Sequence, residues 1–149
     1  MAKSSGLGTI LILAALVILA IFLIPSIRNT QRYGIHGQIT TVNADIYKDE
    51  LVLQQLTEID WGIIDPGGSS SVTFYLKSTS NVPITLSYQA SNWQPQGAQT
   101  YLSVSWDYSG VIIQPGAVQP VTMTLHVSEL TTGFQEFAFD LTIIGTGGA

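Results

Sequence analysis

The chain has 149 residues, of which only 10% are charged, and its formal net charge is −5. This length suits one domain with an appendage, and the lack of cysteine excludes both a disulfide framework and a thiolate metal site. From residue 33 onward, two lysines stand against ten acids, a formal charge of −8. Nucleic acid is therefore excluded as a partner, because phosphate binding requires a basic stripe.

An uncharged apolar run of 18 residues, 7–24, stands near the N-terminus. As a helix rising about 1.5 Å per residue it reaches about 27 Å, close to the thickness of a bilayer's hydrocarbon core. A cleaved signal peptide is the alternative, but the run ends in Phe22-Leu23-Ile24-Pro25, without a small-x-small cleavage site. We therefore predict a transmembrane helix over 7–27, after a short cytoplasmic N-terminus over 1–6. Its anchoring residues are Leu7, Ile10, Leu13, Leu16, Val17, Ile21 and Ile24.

The orientation of this anchor depends on the domain that follows it. Lys3 lies on one side of the run, and Arg28 and Arg32 lie on the other, so the positive-inside rule gives a near tie. An acidic β domain rich in Ser and Thr fits the outside better than the cytoplasm. The sequence thus predicts a cell-membrane protein with a juxtamembrane linker over 28–36 and an extracytoplasmic β domain over 37–145, followed by a flexible tail over 146–149.

The stretch Asp60–Leu86 reads as strand, turn, strand, turn, strand. Asp65-Pro66-Gly67-Gly68 has turn chemistry, because proline presets one backbone angle and glycine accepts a positive φ. Apolar and polar residues alternate over 72–77 and again from Ile84 to Tyr88, as expected for strands with one buried face. Asp60 is predicted to hold a corner by accepting backbone N–H bonds.

Further strands are predicted over 38–47, 101–108, 111–113, 121–127 and 134–144, with a turn over 48–50 and a loop over 92–99. A second short apolar segment contains Leu51, Leu53, Leu56 and Ile59. The residues 63–67 and 72–76 are echoed 49 positions later by 112–116 and 121–125. Each Pro-Gly pair is predicted to pass the chain from one sheet to the other, which favours an antiparallel β-sandwich of about seven strands. The predicted structural turn residues are Trp61, Pro66, Gly67, Pro115 and Gly116.

These turns carry a family resemblance. Trp61-Gly62 before Pro66-Gly67, and the corner Ser80-Asn81-Val82-Pro83, resemble the immunoglobulin-like sandwiches of the major-sperm-protein and hydin-like group. With Asn92-Trp93, Trp106-Asp107-Tyr108 and Pro115-Gly116, the region 37–144 is similar to single-domain archaeal proteins of this fold that carry one N-terminal membrane helix. The resemblance implies fold and placement, and implies no activity.

Catalytic and metal-binding patterns are absent from the sequence. His36 and His126 lack any paired ligand spacing, and His126 is expected on the outer face of a strand. Ser69-Ser70-Ser71 lacks a nucleophile elbow, and Gly67-Gly68 lacks a phosphate-loop lysine. The acids between Asp45 and Asp65 match no EF-hand loop, so an acidic solvated face is favoured over calcium binding. We predict no enzyme, no cofactor and no small-molecule substrate.

Recognition by aromatic side chains is the remaining possibility for a site. Trp106 alternates with Leu102 and Val104 and is expected in the core. Trp93, in a loop with Pro and Gly, and Tyr101 are the candidates for an interaction surface.

Two functional hypotheses follow. The first is a non-catalytic domain, anchored in the bilayer, that binds a protein partner in the cell envelope, associates with itself or serves as an accessory subunit of a membrane complex. The second is an extracellular filament subunit, because the short leader Lys3-Ser4-Ser5-Gly6 before Leu7 resembles that of archaeal pilins and flagellins. In that case the chain would be processed after Gly6, although no Lys or Arg directly precedes this glycine.

Overall fold

The computed structural model of the protein describes residues 33–131 and 136–147. These residues belong to one compact unit, Gln31–Ala149. The predicted transmembrane helix over 7–27 and its anchoring residues lie outside the described residues, as does the predicted N-terminus over 1–6. Within the described part of the chain, no helix is long and apolar enough to cross a membrane.

Most of the described residues belong to two four-stranded sheets, consistent with the predicted β-sandwich. The first sheet has the order β3-β1-β8-β5 and the second has the order β2-β4-β7-β6. All neighbouring strands in them are antiparallel except β1 and β8, which run parallel. The strands are β1 (Tyr33–Val42), β2 (Ala44–Tyr47), β3 (Glu58–Ile64), β4 (Ser69–Ser78), β5 (Ile84–Gln94), β6 (Leu102–Trp106), β7 (Val118–Val127) and β8 (Glu136–Gly147).

The core lies between the inward faces of the two sheets. Along β4 the predicted alternation is observed, with Phe74 and Leu76 fully buried between exposed or half-buried neighbours. Across the sandwich, β8 contributes Phe137, Phe139, Leu141 and other apolar residues at every second position. This period-2 burial is what the sequence pattern predicts for strands that have one face in the core.

The segment 38–47, predicted as one strand, is divided between the two sheets. Asn43 has a φ of 59°, and the chain turns there from β1 in the first sheet to β2 in the second. Its Nδ2 donates a hydrogen bond of 3.0 Å to the carbonyl oxygen of Gly145. Asparagine tolerates this left-handed conformation better than most residues, which explains the break in an otherwise strand-like segment.

Several other details differ from the sequence predictions, and one of them is that β8 continues to Gly147, into the predicted flexible tail over 146–149. β1 begins at Tyr33, within the predicted linker. Leu51 and Leu53 are 72% and 76% exposed on the β2–β3 loop, where the carboxylate of Asp49 accepts a hydrogen bond from the N–H of Leu53. Residues 111–113 form no strand, since only Ile113 makes a bridge, to Ile84. Trp61 is a buried strand residue rather than a turn residue, and its ring lies 6.4 Å from that of Phe139.

The two Pro-Gly corners change sheets as predicted. The first joins β3 to β4, and the second follows Ile113, which is bonded to the first sheet, and leads into β7 of the second sheet. β4 and β7 then pair with each other, so that Thr73 stands opposite Thr122.

Each corner is bonded to the end of the other corner's strand. The N–H of Gly67 donates a 2.9 Å hydrogen bond to the carbonyl oxygen of Val127, and the N–H of Gly116 donates one of 3.2 Å to the carbonyl oxygen of Ser78. In return, the N–H of Val127 donates to the carbonyl oxygen of Gly68 at 2.9 Å, and the N–H of Ser78 donates to that of Ala117 at 3.0 Å. The echo in sequence is therefore a local two-fold repeat in structure, with the Thr73–Thr122 pair at its centre.

Replacing either corner glycine by alanine should destabilise the domain. Gly67 and Gly116 have φ values of 77° and 74°, so we expect Gly67→Ala and Gly116→Ala each to lower the free energy of unfolding by about 1–2 kcal/mol. Gly67→Ala should be the worse, because its Cβ would lie 2.8 Å from Cγ of Glu129, whereas nothing lies within 4 Å at Gly116. Urea denaturation of the fragment 31–149 measures this. Gly34→Ala is the control, with open space around its Cβ and expected near-wild-type stability.

Asn43 provides a second test of the sheet crossing. Asn43→Ala loses both the tolerance of a positive φ and the hydrogen bond to Gly145, so it should cost about 2 kcal/mol. Asn43→Gly loses only the hydrogen bond and should cost about 1 kcal/mol. Thermal or urea unfolding of the two variants measures these costs. Equal stability of both variants would contradict the expected cost of a positive φ for alanine.

Candidate interaction site

One flank of the sandwich carries no charged residue. The sequence from Ser78 to Trp106 contains no Asp, Glu, Lys or Arg. This stretch forms β5, the short 3₁₀ helix Ala98–Thr100 and β6. β5 is an edge strand of the first sheet and β6 is an edge strand of the second, and we call this side the β5–β6 flank. The charges of an acidic domain are thus distributed over its other surfaces.

Tyrosine hydroxyls connect the two sheets along the β5–β6 flank. Tyr88 donates a hydrogen bond of 2.6 Å to the carbonyl oxygen of Val104, and Tyr108 accepts one of 3.2 Å from the N–H of Leu86. The ring of Trp106 stands edge-on to both tyrosines, with centroid distances of 4.7 and 5.3 Å. Trp106 is half-buried and packs against the core, as predicted.

The opposite flank is protected in two ways. Along β3, Glu58 and Asp60 are exposed, and the strand bulges at Gly62, where the φ is 74°. The Oδ1 atom of Asp60 accepts a 2.8 Å hydrogen bond from the N–H of Gly62, so this carboxylate binds a backbone N–H as predicted, but at a bulge within β3 rather than at a corner. β2 is covered by the returning chain, since the N–H of Leu56 donates to Ile46 at 2.8 Å. Charge, bulges and covering segments are the usual protections of edge strands against association.

A second bulge lies near the C-terminal end of β5. Asn92 has a φ of 53°, and the pairing register with β8 shifts between Ser91 and Gln94. The extra residue turns Asn92 outward, where its Nδ2 donates a 2.6 Å hydrogen bond to Asp140. It also turns Trp93 onto the core, where its ring stacks on Phe139 with a centroid distance of 4.5 Å and an angle of 22°. Bulges commonly redirect side chains in this way.

An open groove of about 580 Å³ crosses the outer face of the first sheet beside Trp93. Polar side chains of four strands line it, among them Gln38, Glu58, Asn92 and Asp140. His36 at its rim lies 3.7 Å from the exposed carboxylate of Asp60. Among the described residues, no group of three or more His, Cys, Asp or Glu side chains could hold a metal ion.

The candidate recognition residues Trp93 and Tyr101 lie in different concavities. Trp93 lines the groove on the first sheet, whereas Tyr101 lines a hollow with His126 and Leu130. His126 is exposed, as its predicted outward position requires, and its Nδ1 lies 3.0 Å from Oγ of Ser69. The two aromatic residues therefore do not form a single binding surface, and a binding role for either one stays a prediction.

The sequence predictions missed the β5–β6 flank. The signal that could have found it is the long uncharged run that begins at Ser78, which was divided among separate strands and loops. Only the pairing of strands shows that its two parts form neighbouring edges.

The chain matches no protein-family model, and no curated protein matches it significantly.

Trp93 can be tested as a packing residue. We expect Trp93→Ala to lower the free energy of unfolding by about 2 kcal/mol, because the half-buried ring and its contact with Phe139 are lost. Trp93→Phe keeps an aromatic ring there and should lose less than half of that. Urea denaturation followed by circular dichroism is the measurement. Unchanged stability of Trp93→Ala would instead favour a free surface aromatic residue.

Proposed function

We propose that the protein is a non-catalytic, membrane-anchored interaction domain with an immunoglobulin-like fold, placed outside the cytoplasm in the cell envelope. The observation that carries this proposal is the uncharged β5–β6 flank. An edge strand without charges can pair with a strand of another chain, whereas charge, a bulge and a covering segment hinder such pairing on the opposite flank. The proposed activity is therefore protein–protein contact through this flank.

The anchor in this proposal is the apolar run 7–24. Its length and lack of charge suit a bilayer span, and residues 25–32 connect it to the first residue of β1. Arg28 and Arg32 within this connection suit lipid headgroups. The bilayer is thus one proposed partner, and a protein of the envelope or a second copy of the chain is the other.

The immunoglobulin-like assignment rests on the residues of the resemblance together with the sheet pattern. Trp61 is buried in the core, and Pro66-Gly67 forms a corner that changes sheets. Asn81 and Pro83 lie in the connection from β4 to β5, which also changes sheets. Two packed sheets joined by such corners support an immunoglobulin-like sandwich. The archaeal, single-pass part of the proposal rests on the sequence resemblance and the apolar run 7–24.

The proposal is tested by the location of the full chain in cells. We expect it in the membrane fraction, released by detergent but not by high salt or carbonate. Val17→Arg should release a large part of the chain, because an arginine near the centre of a span costs about 2.5–3.5 kcal/mol. Ser71→Arg, on the exposed outer face of β4, is the matched control and should stay in the membrane.

Protease added to intact cells should degrade the β domain, whereas a cytoplasmic domain would survive. The fragment 31–149 should be soluble and rich in β-structure, since it contains a core of its own.

N-terminal sequencing separates this proposal from the filament hypothesis. An anchored domain begins at Met1 or Ala2 and stays in the membrane. A chain that begins at Leu7 and is recovered in sheared fibres would replace the proposal with a pilin-like or flagellin-like subunit.

A further inference from the structure

The outer edge of β5 is covered over only part of its length. Ile84 exchanges both backbone hydrogen bonds with Ile113, at 2.9 and 2.8 Å, on the side that faces away from β8. Along an antiparallel strand, the backbone N–H and C=O groups of successive residues point alternately toward one neighbouring strand and toward the other. Every second residue after Ile84, namely Leu86, Tyr88 and Ala90, therefore also points these groups away from β8. The N–H of Leu86 is bonded to the hydroxyl of Tyr108.

Tyr88 and Ala90 therefore form a short open edge. Within residues 33–131 and 136–147, their outward N–H and C=O groups have no hydrogen-bond partner. The bulge at Asn92 ends the edge on one side, and the Tyr108 contact ends it on the other. No charged side chain and no proline lies on β5 to discourage another strand.

We propose that this open edge pairs with the same edge of a second copy of the chain, antiparallel across a two-fold axis. Two open residues with one residue between them specify the register. Tyr88 of each copy stands opposite Ala90 of the other, and both pairs exchange their N–H and C=O groups. Gln89 then faces Gln89 of the second copy on the axis.

A second copy fits this edge better than other occupants because the edge is complementary to itself. The open N–H and C=O groups of Tyr88 and Ala90 on one copy meet those of Ala90 and Tyr88 on the other, and only the C=O of Leu86 stays unpaired in this register. Each domain carries a formal charge of −8 from residue 33 onward, which opposes association through its charged surfaces. The uncharged β5–β6 flank allows two copies to meet without bringing carboxylates together. An isologous contact of this kind also closes at two copies.

The contact is too small for a stable dimer in dilute solution. Stable interfaces bury about 1,200–2,000 Å² in total, far more than two residue pairs supply. Confinement of both copies to one membrane raises their effective concentration, so this inference rests on the proposed anchoring.

The lack of cysteine allows the register to be tested by disulfide crosslinking of the full chain in its membrane. Residues opposite each other in a non-hydrogen-bonded antiparallel pair have Cα atoms about 4.5 Å apart, within the range of a disulfide. We expect Gln89→Cys to crosslink to a dimer at least tenfold faster than Ser71→Cys, an exposed control on the second sheet.

The next directly opposed pair along the edge gives an independent check of the register. Ser87 of one copy should face Ser91 of the other, so Ser87→Cys and Ser91→Cys chains carrying different tags should crosslink when they are present together. Each of these variants alone should crosslink at the rate of the Ser71→Cys control. Equal rates for the separate and mixed chains would overturn the register.

Ala90→Pro removes the outward N–H and breaks no hydrogen bond to β8, because the N–H of Ala90 points away from that strand. In the Gln89→Cys chain it should reduce crosslinking to the control level while the far-ultraviolet circular dichroism is kept. Gln89→Glu in the mixed Ser87→Cys and Ser91→Cys chains tests the same contact without proline. It places two carboxylates on the axis and should slow crosslinking by at least threefold, whereas an unchanged rate would count against the proposal.

The outcomes separate this inference from the proposed function. A chain that is absent from the membrane overturns the anchored domain itself. A chain that is anchored, but whose Gln89→Cys variant crosslinks no faster than the Ser71→Cys variant, overturns the paired edge alone. A crosslinked product whose mass differs from that of two copies would show that a different protein occupies the edge, and would also overturn it.

Discussion

The antiparallel pairing of β4 with β7 is the contact on which the architecture depends. Each strand follows a Pro-Gly corner, and each corner is bonded by its backbone to the end of the other strand. The inward side chains of the pair, including Phe74, Leu76, Met123 and Leu125, are fully buried. Because the two corners bring chain from the first sheet, the pair also determines how the sheets are joined. The outer face of the pair is linked by hydroxyl contacts, such as that of Thr73 with Thr122 at 3.0 Å.

The two flanks cover their strand edges by different means. A sandwich leaves four strand edges, and each exposed edge offers unpaired N–H and C=O groups to other chains. On the β2–β3 flank, the carboxylate of Asp60 binds an N–H at the bulge and a returning segment covers β2. On the β5–β6 flank, tyrosine hydroxyls and Ile113 bind part of the edge. The proposed protein contact rests on this difference in charge between the flanks.

The positive-φ asparagines connect local conformation to the proposed contact. Asn43 transfers the chain between sheets, whereas Asn92 inserts a bulge that ends the regular part of β5. A left-handed residue is costly for most side chains, so each asparagine marks a position where the chain must depart from regular pairing. The bulge at Asn92 limits the length of the open edge and places Trp93 on Phe139, so one local feature affects both the core and the flank.

The sequence by itself determined most of the strands, the sheet-changing role of the Pro-Gly corners and the outward position of His126. Period-2 alternation and turn chemistry are local properties, so they can be read from neighbouring residues. The tertiary structure decided that Asn43 divides a strand, that Trp61 lies in the core, that Leu51 and Leu53 stay exposed and that β1 pairs in parallel with β8. It also decided that β5 and β6 form one uncharged flank. These features depend on which strands become neighbours, because pairing joins residues far apart in the chain and local patterns carry no record of it.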